Sequence, residues 1–201
     1  MIAQLHALEP ALQETYGSKA WRLFEAMQRG YHVAAGVVVP APDCEAAVMR
    51  WRAQHATLLD LLVGEASPDD CVGHPDGGEL TLPAAFTKQL SCALRSLRAE
   101  REDLLLIARS SAQAEDSCVS SQAGQFYSEA NLITDREVGL AIRRVLLNYL
   151  WRQQRQLAAG AMAVLIQVQV APDFSGVAFS CDPVSGNPDE MVVGYQAGGG
   201  G

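Results

Sequence analysis

Apolar residues recur at helical spacing in four segments of the chain. Over residues 19–28 they recur every three or four positions, which predicts a helix with one buried face. Gly30 is suited to end that helix, because glycine readily adopts the left-handed conformation found just past helix ends. The other predicted helices cover residues 45–63, with Asp43 as N-cap, 83–98, with Pro83 in the first turn, and 135–156.

Shorter apolar runs lie between these helices or follow the last of them, and they predict five strands. They cover residues 32–39, 104–108, 162–170, 176–180 and 191–195. A segment rich in Ser, Ala, Asp and Gln follows residue 108 and predicts a loop, and residues 182–188 predict a turn. Long helices mixed with short strands indicate an α+β fold with α/β-like character.

Two features bear on how the chain is divided. Residues 66–79 are rich in turn-forming residues, which predicts a flexible loop between a first part, 1–64, and a second part, 80–201. The last predicted strand leads to four glycines at 198–201, with no closing helix or strand. We therefore expect residues 1–201 to form one incomplete domain, the N-terminal part of something longer.

Composition narrows the classes of function. Of the 201 residues, 49% are hydrophobic and 19% are charged, which suffices for a folded core. The net charge of −8 argues against a nucleic-acid partner, because a phosphate backbone requires a basic surface. One or two placed cations with backbone amides can still hold a triphosphate in an acidic protein.

The cysteines and the N-terminus bear on metals and location. The five cysteines include no C-x-x-C pair, and the four histidines are isolated, so we predict reduced thiols and no metal centre within the chain. The first residues lack the basic start and apolar stretch of a signal peptide. The least polar run, 157–166, is about half the length that crosses a bilayer. We expect a soluble, cytoplasmic protein without a membrane partner.

Two short motifs have the chemistry of phosphate binding. Gly17-Ser18-Lys19 combines a helix start with a lysine, although an exposed lysine in a first turn is the more ordinary explanation of that motif alone. Arg109 directly follows the predicted strand 104–108, at the kind of strand end where α/β sheets bind ligands. Its planar guanidinium can hold two phosphate oxygens, whereas a surface ion pair with Asp116 is an equally good explanation.

The residues around Arg109 add further donors and acceptors. Ser110 and Ser111 offer hydroxyl and amide donors, and Glu115 with Asp116 could orient Arg109 or assist a magnesium ion. Small residues surround Gly124 at 120–125, as in loops whose amides approach anions, but the segment does not match a standard P-loop.

Alternating glutamines in the strand predicted over 162–170 suggest a second kind of contact. Gln167 and Gln169 would share one strand face, where they could read the edge of a planar base. A half-solvated strand produces the same pattern and is the commoner cause.

The order of these blocks resembles the ATP-binding N-terminal domain of the pyruvate phosphate dikinase and phosphoenolpyruvate synthase family. That family reads V-R-S-S-A-x-A-E-D and then S-F-A-G-Q-x-x-T-x-L-N-V. This chain has A-R-S-S-A-Q-A-E-D at 108–116, A-G-Q at 123–125 and Asn131 at the position of the family's asparagine. Further blocks resemble the family's G-x-K at 17–19, its P-x-G-F-V-V at 35–39, its A-V-V-V-Q-x-M-V at 163–170 and its S-G-V-A-F-T-x-D-P-x-T-G at 175–186.

The resemblance implies the N-terminal part of an ATP-grasp-type domain that passes a phosphoryl group from ATP to a histidine on another domain. Carried over residue by residue, Lys19 and Arg109 are catalytic and hold the ATP phosphates. Gly124 lies in the loop over the phosphates, Ser128 stands where the family has threonine, and Gln167 lies near the adenine. Mg²⁺ would be a second cofactor, with its acidic ligands outside this chain.

The resemblance also implies what the chain lacks. The phosphohistidine domain and the remaining half of the ATP-grasp fold are expected downstream or on another chain, so these residues alone would be inactive. Departures from the family pattern include Gln122 for the loop phenylalanine, Ala34-Ala35 for Val-Pro, and Cys181 for a polar residue.

Three functions remain open at the level of sequence. The first is a dikinase-type phosphotransferase with pyruvate as acceptor. The second is an antibiotic (rifampin-type) phosphotransferase of the same superfamily. The third is a non-catalytic module that binds a nucleotide or a partner protein.

Overall fold

A computed structural model describes residues 1–64, 80–99, 103–113, 127–158 and 160–198. The predicted flexible loop at 66–79 lies outside these residues. The chain divides into two compact units, residues 1–169 and 170–201.

A five-stranded sheet forms the centre of the first unit. In chain order its strands are β1 (Ala3–Gln4), β2 (Gly36–Val39), β3 (Leu106–Ala112), β4 (Ser128–Leu132) and β5 (Met162–Val168). Their spatial order is β1-β2-β5-β3-β4, and every neighbouring pair is antiparallel. The mixture of helices and sheet confirms the α+β prediction, but the α/β-like character is wrong, because that class has a parallel sheet.

Within the described ranges, four α-helices pack on the sheet or on one another. They are α1 (Gln13–Gln28), α2 (Ala41–Gly64), α3 (Ala84–Leu97) and α4 (Asp135–Gln154). Two short 3₁₀ turns, Leu5–Ala7 and Pro10–Leu12, precede α1. All four predicted helices are present. The predicted bounds of α3 and α4 are correct within two residues.

The starts of α1 and α2 differ from the prediction. α1 begins at Gln13 instead of residue 19, with a break at Gly17 (φ 72°, ψ 162°). α2 begins at Ala41, because the Pro40 carbonyl accepts from the Asp43 and Cys44 amides and so starts the helical turn. Asp43 therefore lies in the first turn and is not the predicted N-cap. Its carboxylate lies 2.8 Å from the amino group of Met1.

Alternation along the strands divides the core between the two faces of the sheet. Val164 and Ile166 of β5 belong to a large cluster with side chains of α2, α3 and α4. Ala163 and Leu165 belong to a smaller cluster with Tyr16 and other α1 residues. We call the second side the α1 face of the sheet. One helix layer therefore covers each face.

β3 extends further than its apolar run predicts. The strand was expected over 104–108 but ends at Ala112, and Ser110 and Ser111 are buried within it. Both serines pair in register with β5, opposite Val164 and Ala163. β2 is shorter than predicted and begins at Gly36 instead of residue 32.

The second unit is an antiparallel hairpin of β6 (Phe174–Phe179) and β7 (Val192–Ala197). Its turn is organised by Asp182, whose carboxylate accepts from the Val184 amide and from the amide and hydroxyl of Ser185. The predicted strands and the turn between them are confirmed. In the described part of the chain, no helix has the length and apolarity needed to span a bilayer.

The start of α4 is fixed by a capping box. The Thr134 hydroxyl accepts from the Glu137 amide at 3.2 Å, and the Glu137 carboxylate accepts from the amides of Thr134 and Ile133. These donated bonds hold the pKa of Glu137 below its ordinary value. Just beyond the cap, Asp135 accepts from Arg98 and Ser91, so α4 is also joined to the end of α3.

We predict that Thr134→Ala lowers the free energy of unfolding by ~1 kcal/mol, the usual cost of losing an N-cap hydroxyl. Denaturant unfolding at neutral pH measures the loss.

Glu137→Gln should also destabilise the chain at neutral pH. Because the folded pKa of Glu137 is lowered, its contribution is present above the ordinary pKa and is lost as pH falls through the folded pKa. Denaturant titrations at pH 7 and at about pH 3 check this. A stability difference for Glu137→Gln that persists in acid would contradict it.

Candidate functional site

The backbone of α1 approaches β3 very closely where the helix crosses the strand. A Cβ atom added to Gly17 would lie 1.8 Å from the carbonyl oxygen of Ser111, so only a glycine fits. Gly17 also has a φ of 72°, in the left-handed region that favours glycine. The backbone of α1 therefore rests directly on the backbone of β3.

Hydrogen bonds from Ser111 reinforce this contact. The Ser111 hydroxyl donates to the Tyr16 carbonyl at 2.9 Å and accepts from the Ala20 amide at 3.0 Å. Ser111 is fully buried, so these two bonds satisfy a hydroxyl that water cannot reach. The prediction that this hydroxyl is available to a ligand is therefore wrong.

Two further side chains join α1 to the end of β3. The Ser18 hydroxyl donates to the Gln113 carbonyl at 2.9 Å, and the Gln113 amide group donates to the Glu14 carbonyl at 2.7 Å. An open depression of about 490 Å³ adjoins these residues and is also lined by Trp21 and Arg22. Gln113 lies inside the A-R-S-S-A-Q motif, but sequence reasoning gave it no role, because its partner lies far away in the chain.

Lys19 lies at the same junction. Its ammonium donates to the Ser110 carbonyl at 3.0 Å, one residue from Arg109 in the sequence. Helical geometry resumes after Gly17, so Lys19 is in the first turn of the helical segment that follows the break, as predicted. The motif Gly17-Ser18-Lys19 thus supplies the close approach, a bond to Gln113 and a cation beside β3.

Arg109 lies in the middle of β3 and not at a strand end, which corrects the prediction. It pairs with Leu165 of β5 and Ser128 of β4. Because Arg109 is two residues from Ser111, its side chain leaves β3 on the α1 face. Arg109 is half-buried, and its guanidinium has no hydrogen bond or salt bridge to any residue in the described ranges. Asp116, its alternative partner, lies outside those ranges.

Ser128 and Gln167 lie on the same face as Arg109. Ser128 is exposed and stands opposite Arg109, and paired residues of an antiparallel ladder share a face. Gln167 stands opposite Ile107, two residues from Arg109 along β3. The register thus brings Arg109, Ser128 and Gln167 together on the α1 face, where Lys19 joins them.

Gln167 is buried, contrary to the pattern of a half-solvated strand. Its amide group donates to the Ala34 carbonyl at 3.2 Å. Gly36 leaves the space for it, because a Cβ there would lie 2.9 Å from the Gln167 Cγ. β5 is paired on both sides over residues 164–167, so the backbone of those residues cannot also pair with a base. That part of the prediction is wrong.

Other predicted residues fall outside the described part of the chain. These are Gly124, Glu115, Asp116 and the small residues at 120–125. Within the described residues, no group of three or more His, Cys, Asp or Glu side chains is arranged to hold a metal ion. The expectation that Mg²⁺ ligands lie outside this chain stays a prediction.

Comparison with known proteins adds an independent finding. The profile of the family described as "Pyruvate phosphate dikinase, AMP/ATP-binding domain" matches residues 78–200. The prodigiosin synthesizing transferase PigC of Serratia marcescens is 30% identical over 122 residues, which cover 57% of this chain and 14% of PigC. The chain thus spans a small part of this curated relative.

We predict that Gly17→Ala destabilises the protein far more than Gly30→Ala. Both glycines have a positive φ, but an added Cβ at Gly30 meets no atom within 4 Å. Gly30→Ala should cost about 1–2 kcal/mol for the left-handed backbone alone. Gly17→Ala adds a clash with the Ser111 backbone and should cost roughly 2–5 kcal/mol in total. Denaturant unfolding of both variants measures the difference, and equal losses would show that close packing at Gly17 is unimportant.

Proposed function

Because the chain belongs to the family of the pyruvate phosphate dikinase AMP/ATP-binding domain, we propose that the α1 face of its sheet binds the phosphates of ATP. Lys19 and Arg109 hold the phosphate oxygens, and Ser128 lies beside them. Gly124 belongs to the loop over the phosphates, and Gln167 lies on the adenine side. The domain is of the ATP-grasp type.

The observation that carries this proposal is the pairing of two cations on one sheet face. Lys19 is bonded to the Ser110 carbonyl, and Arg109 is the neighbouring residue of the same strand. The chain as a whole has a net charge of −8, so two adjacent cations on one face stand out against that charge. A polyphosphate is the ligand class that such a pair favours.

Arg109 suits this role because of its surroundings. It is half-buried, so a bond from its guanidinium to an anion is less screened than one in bulk water. The guanidinium also has no partner among the described residues, so binding an anion breaks no existing salt bridge there. Its planar fork can engage two oxygens of one phosphate.

Lys19 is held in place by backbone. Gly17 and Ser111 fix the path of α1, and the Ser110 carbonyl then sets the direction of the Lys19 side chain. A cation that is already oriented loses little freedom when a phosphate arrives. The junction therefore preorganises one half of the proposed phosphate contact.

Gln167 supports the base side of the site indirectly. By bonding to Ala34 it holds the segment that leads into β2 against the α1 face. We propose that this segment forms a wall next to the adenine, and that Gln167 positions the wall. The base edge would be read by groups outside the paired backbone of β5.

The finer proposal is a dikinase-type reaction. A histidine on another domain accepts a phosphoryl group from ATP, and Mg²⁺ held by residues outside this chain neutralises the phosphates. Pyruvate is the proposed final acceptor. Lys19 and Arg109 would act by positioning and charge neutralisation, since a loose phosphoryl transition state needs little covalent help from protein groups.

The similarity to PigC favours a second candidate acceptor. PigC is a prodigiosin synthesizing transferase, so a related ATP-binding domain could activate an organic substrate other than pyruvate. An antibiotic phosphotransferase belongs to the same group of possibilities.

One experiment separates the phosphotransferase functions from a non-catalytic module. ATP carrying a radiolabelled β-phosphate is incubated with a form of the protein that includes the histidine domain. Label on a histidine supports phosphotransfer, and its absence in a form that binds ATP contradicts it.

We predict that Arg109→Ala weakens ATP binding by about 1.5–3 kcal/mol, which is roughly 10- to 150-fold in Kd. The reason is the loss of charge-assisted bonds to phosphate. Isothermal titration of ATP into both proteins measures the change.

Arg95→Ala is the matched control, because it removes the same charge from an exposed position in α3. It should leave the ATP affinity unchanged. If Arg109→Ala binds ATP as tightly as the wild-type chain, Arg109 is not in the site. If the wild-type chain binds no ATP, the proposed function itself fails.

A further inference from the structure

We propose that Asn131 and Gln169 form an amide clasp that positions β4 for nucleotide binding. The inference rests on the proposed ATP site and adds two positioning residues to it. Neither residue needs to touch the nucleotide. Their role is to hold Ser128 at its place opposite Arg109.

The clasp is a reciprocal pair of hydrogen bonds. The Gln169 carbonyl oxygen Oε1 accepts from the Asn131 backbone amide at 2.7 Å. The Gln169 Nε2 donates to the Asn131 Oδ1 at 3.1 Å. The Gln169 side chain therefore uses both its acceptor and a donor toward Asn131, which contributes its backbone amide and its side-chain oxygen.

The position of Gln169 makes the clasp a bridge over one strand. Its backbone amide donates to the Leu105 carbonyl at 2.8 Å, so Gln169 is fixed to the residue that precedes β3. Its side chain then reaches Asn131 in β4, on the other side of β3 in the strand order. The clasp thus joins the end of β5 to β4 across the start of β3.

β4 needs such a fastening. It is a five-residue strand, and among the strands of the described ranges it pairs with β3 alone. Its register on β3 shifts between Leu106 and Ala108, so the ladder alone is interrupted. Asn131 has a left-handed backbone with φ of 61°, which asparagine tolerates better than most residues. The clasp secures β4 at the point where its ladder is weakest.

The consequence for the proposed site follows from the register. Ser128 is three residues from Asn131, on the strand that the clasp secures, and it pairs with Arg109. A strand that loses the clasp can shift or fray, and Ser128 would then leave its place beside Arg109. The contacts to phosphate should suffer, whereas Gln167 on the base side keeps its own bond to the Ala34 carbonyl.

The test compares Gln169→Ala with the wild-type chain for ATP and for adenosine, which lacks phosphates. We expect Gln169→Ala to weaken ATP binding roughly tenfold, the equivalent of about one net hydrogen bond, with adenosine affinity unchanged. Hydrogen exchange without nucleotide should be faster at residues 128–132 and unaltered in α4. Asn131→Asp, made in the wild-type chain, keeps the acceptor for Gln169 Nε2 and the tolerance for a left-handed backbone, so it should retain ATP affinity close to wild type.

Gln54→Ala is the matched control, since Gln54 is a glutamine with one exposed bond to Arg50 on α2. It should change none of these measurements. Equal weakening of ATP and adenosine, or unchanged exchange in β4, would overturn the clasp as a positioning device. A wild-type chain that binds neither ligand would instead refute the proposed function, while the exchange data would still show whether the clasp secures β4.

Discussion

The contact between Gly17 and Ser111 is the constraint on which the rest of the proposed site depends. Backbone meets backbone there, with no side chain between helix and strand, so the position of α1 on the sheet is fixed almost without tolerance. The two hydrogen bonds of Ser111 then set the rotation of α1 about its axis. This position and this rotation of α1 bring Lys19 to the Ser110 carbonyl. Ser111, a small polar residue buried in β3, thereby helps to determine where the Lys19 ammonium lies.

The antiparallel sheet explains why one face can specialise. Its opposite face is filled by the larger apolar cluster and is closed by α2, α3 and α4. On the α1 face, α1 and the turns before it cover the smaller cluster, and Arg109 of β3 lies on the same face. Arg109 is therefore half-buried next to a core that holds its strand rigid. That combination favours strong, well-directed contacts to an anion without the full desolvation cost of a buried charge.

Local patterns predicted the elements well and their contacts poorly. The amphipathic spacing of α3 and α4 and the turn at Asp182 could be read directly from neighbouring residues. β3 was cut short at residue 108 because Ser110 and Ser111 look like loop residues. Their polar groups are satisfied by partners about ninety residues away, such as Lys19 and Tyr16, and no local window contains those partners. The candidate residues themselves came from a family resemblance. The register then placed three of them on one face, and a hydrogen bond to Ser110 brought Lys19 to the same face.

The order of residues along β3 bears on which way a nucleotide would lie. Ser111, against Gly17, comes first, and Lys19 contacts the neighbouring Ser110 carbonyl; Arg109 follows; and Ile107, opposite Gln167, comes last. From Ser111 to Ile107 the strand rises by about 13 Å, four residues at roughly 3.3 Å each. Cations lie toward one end of this line, and a buried amide and the small residues before β2 lie toward the other. An elongated ligand with an anionic end and a planar, weakly polar end matches that gradient, whereas a compact anion such as inorganic phosphate would use only half of it. The gradient therefore supports a nucleoside polyphosphate over a simple phosphate.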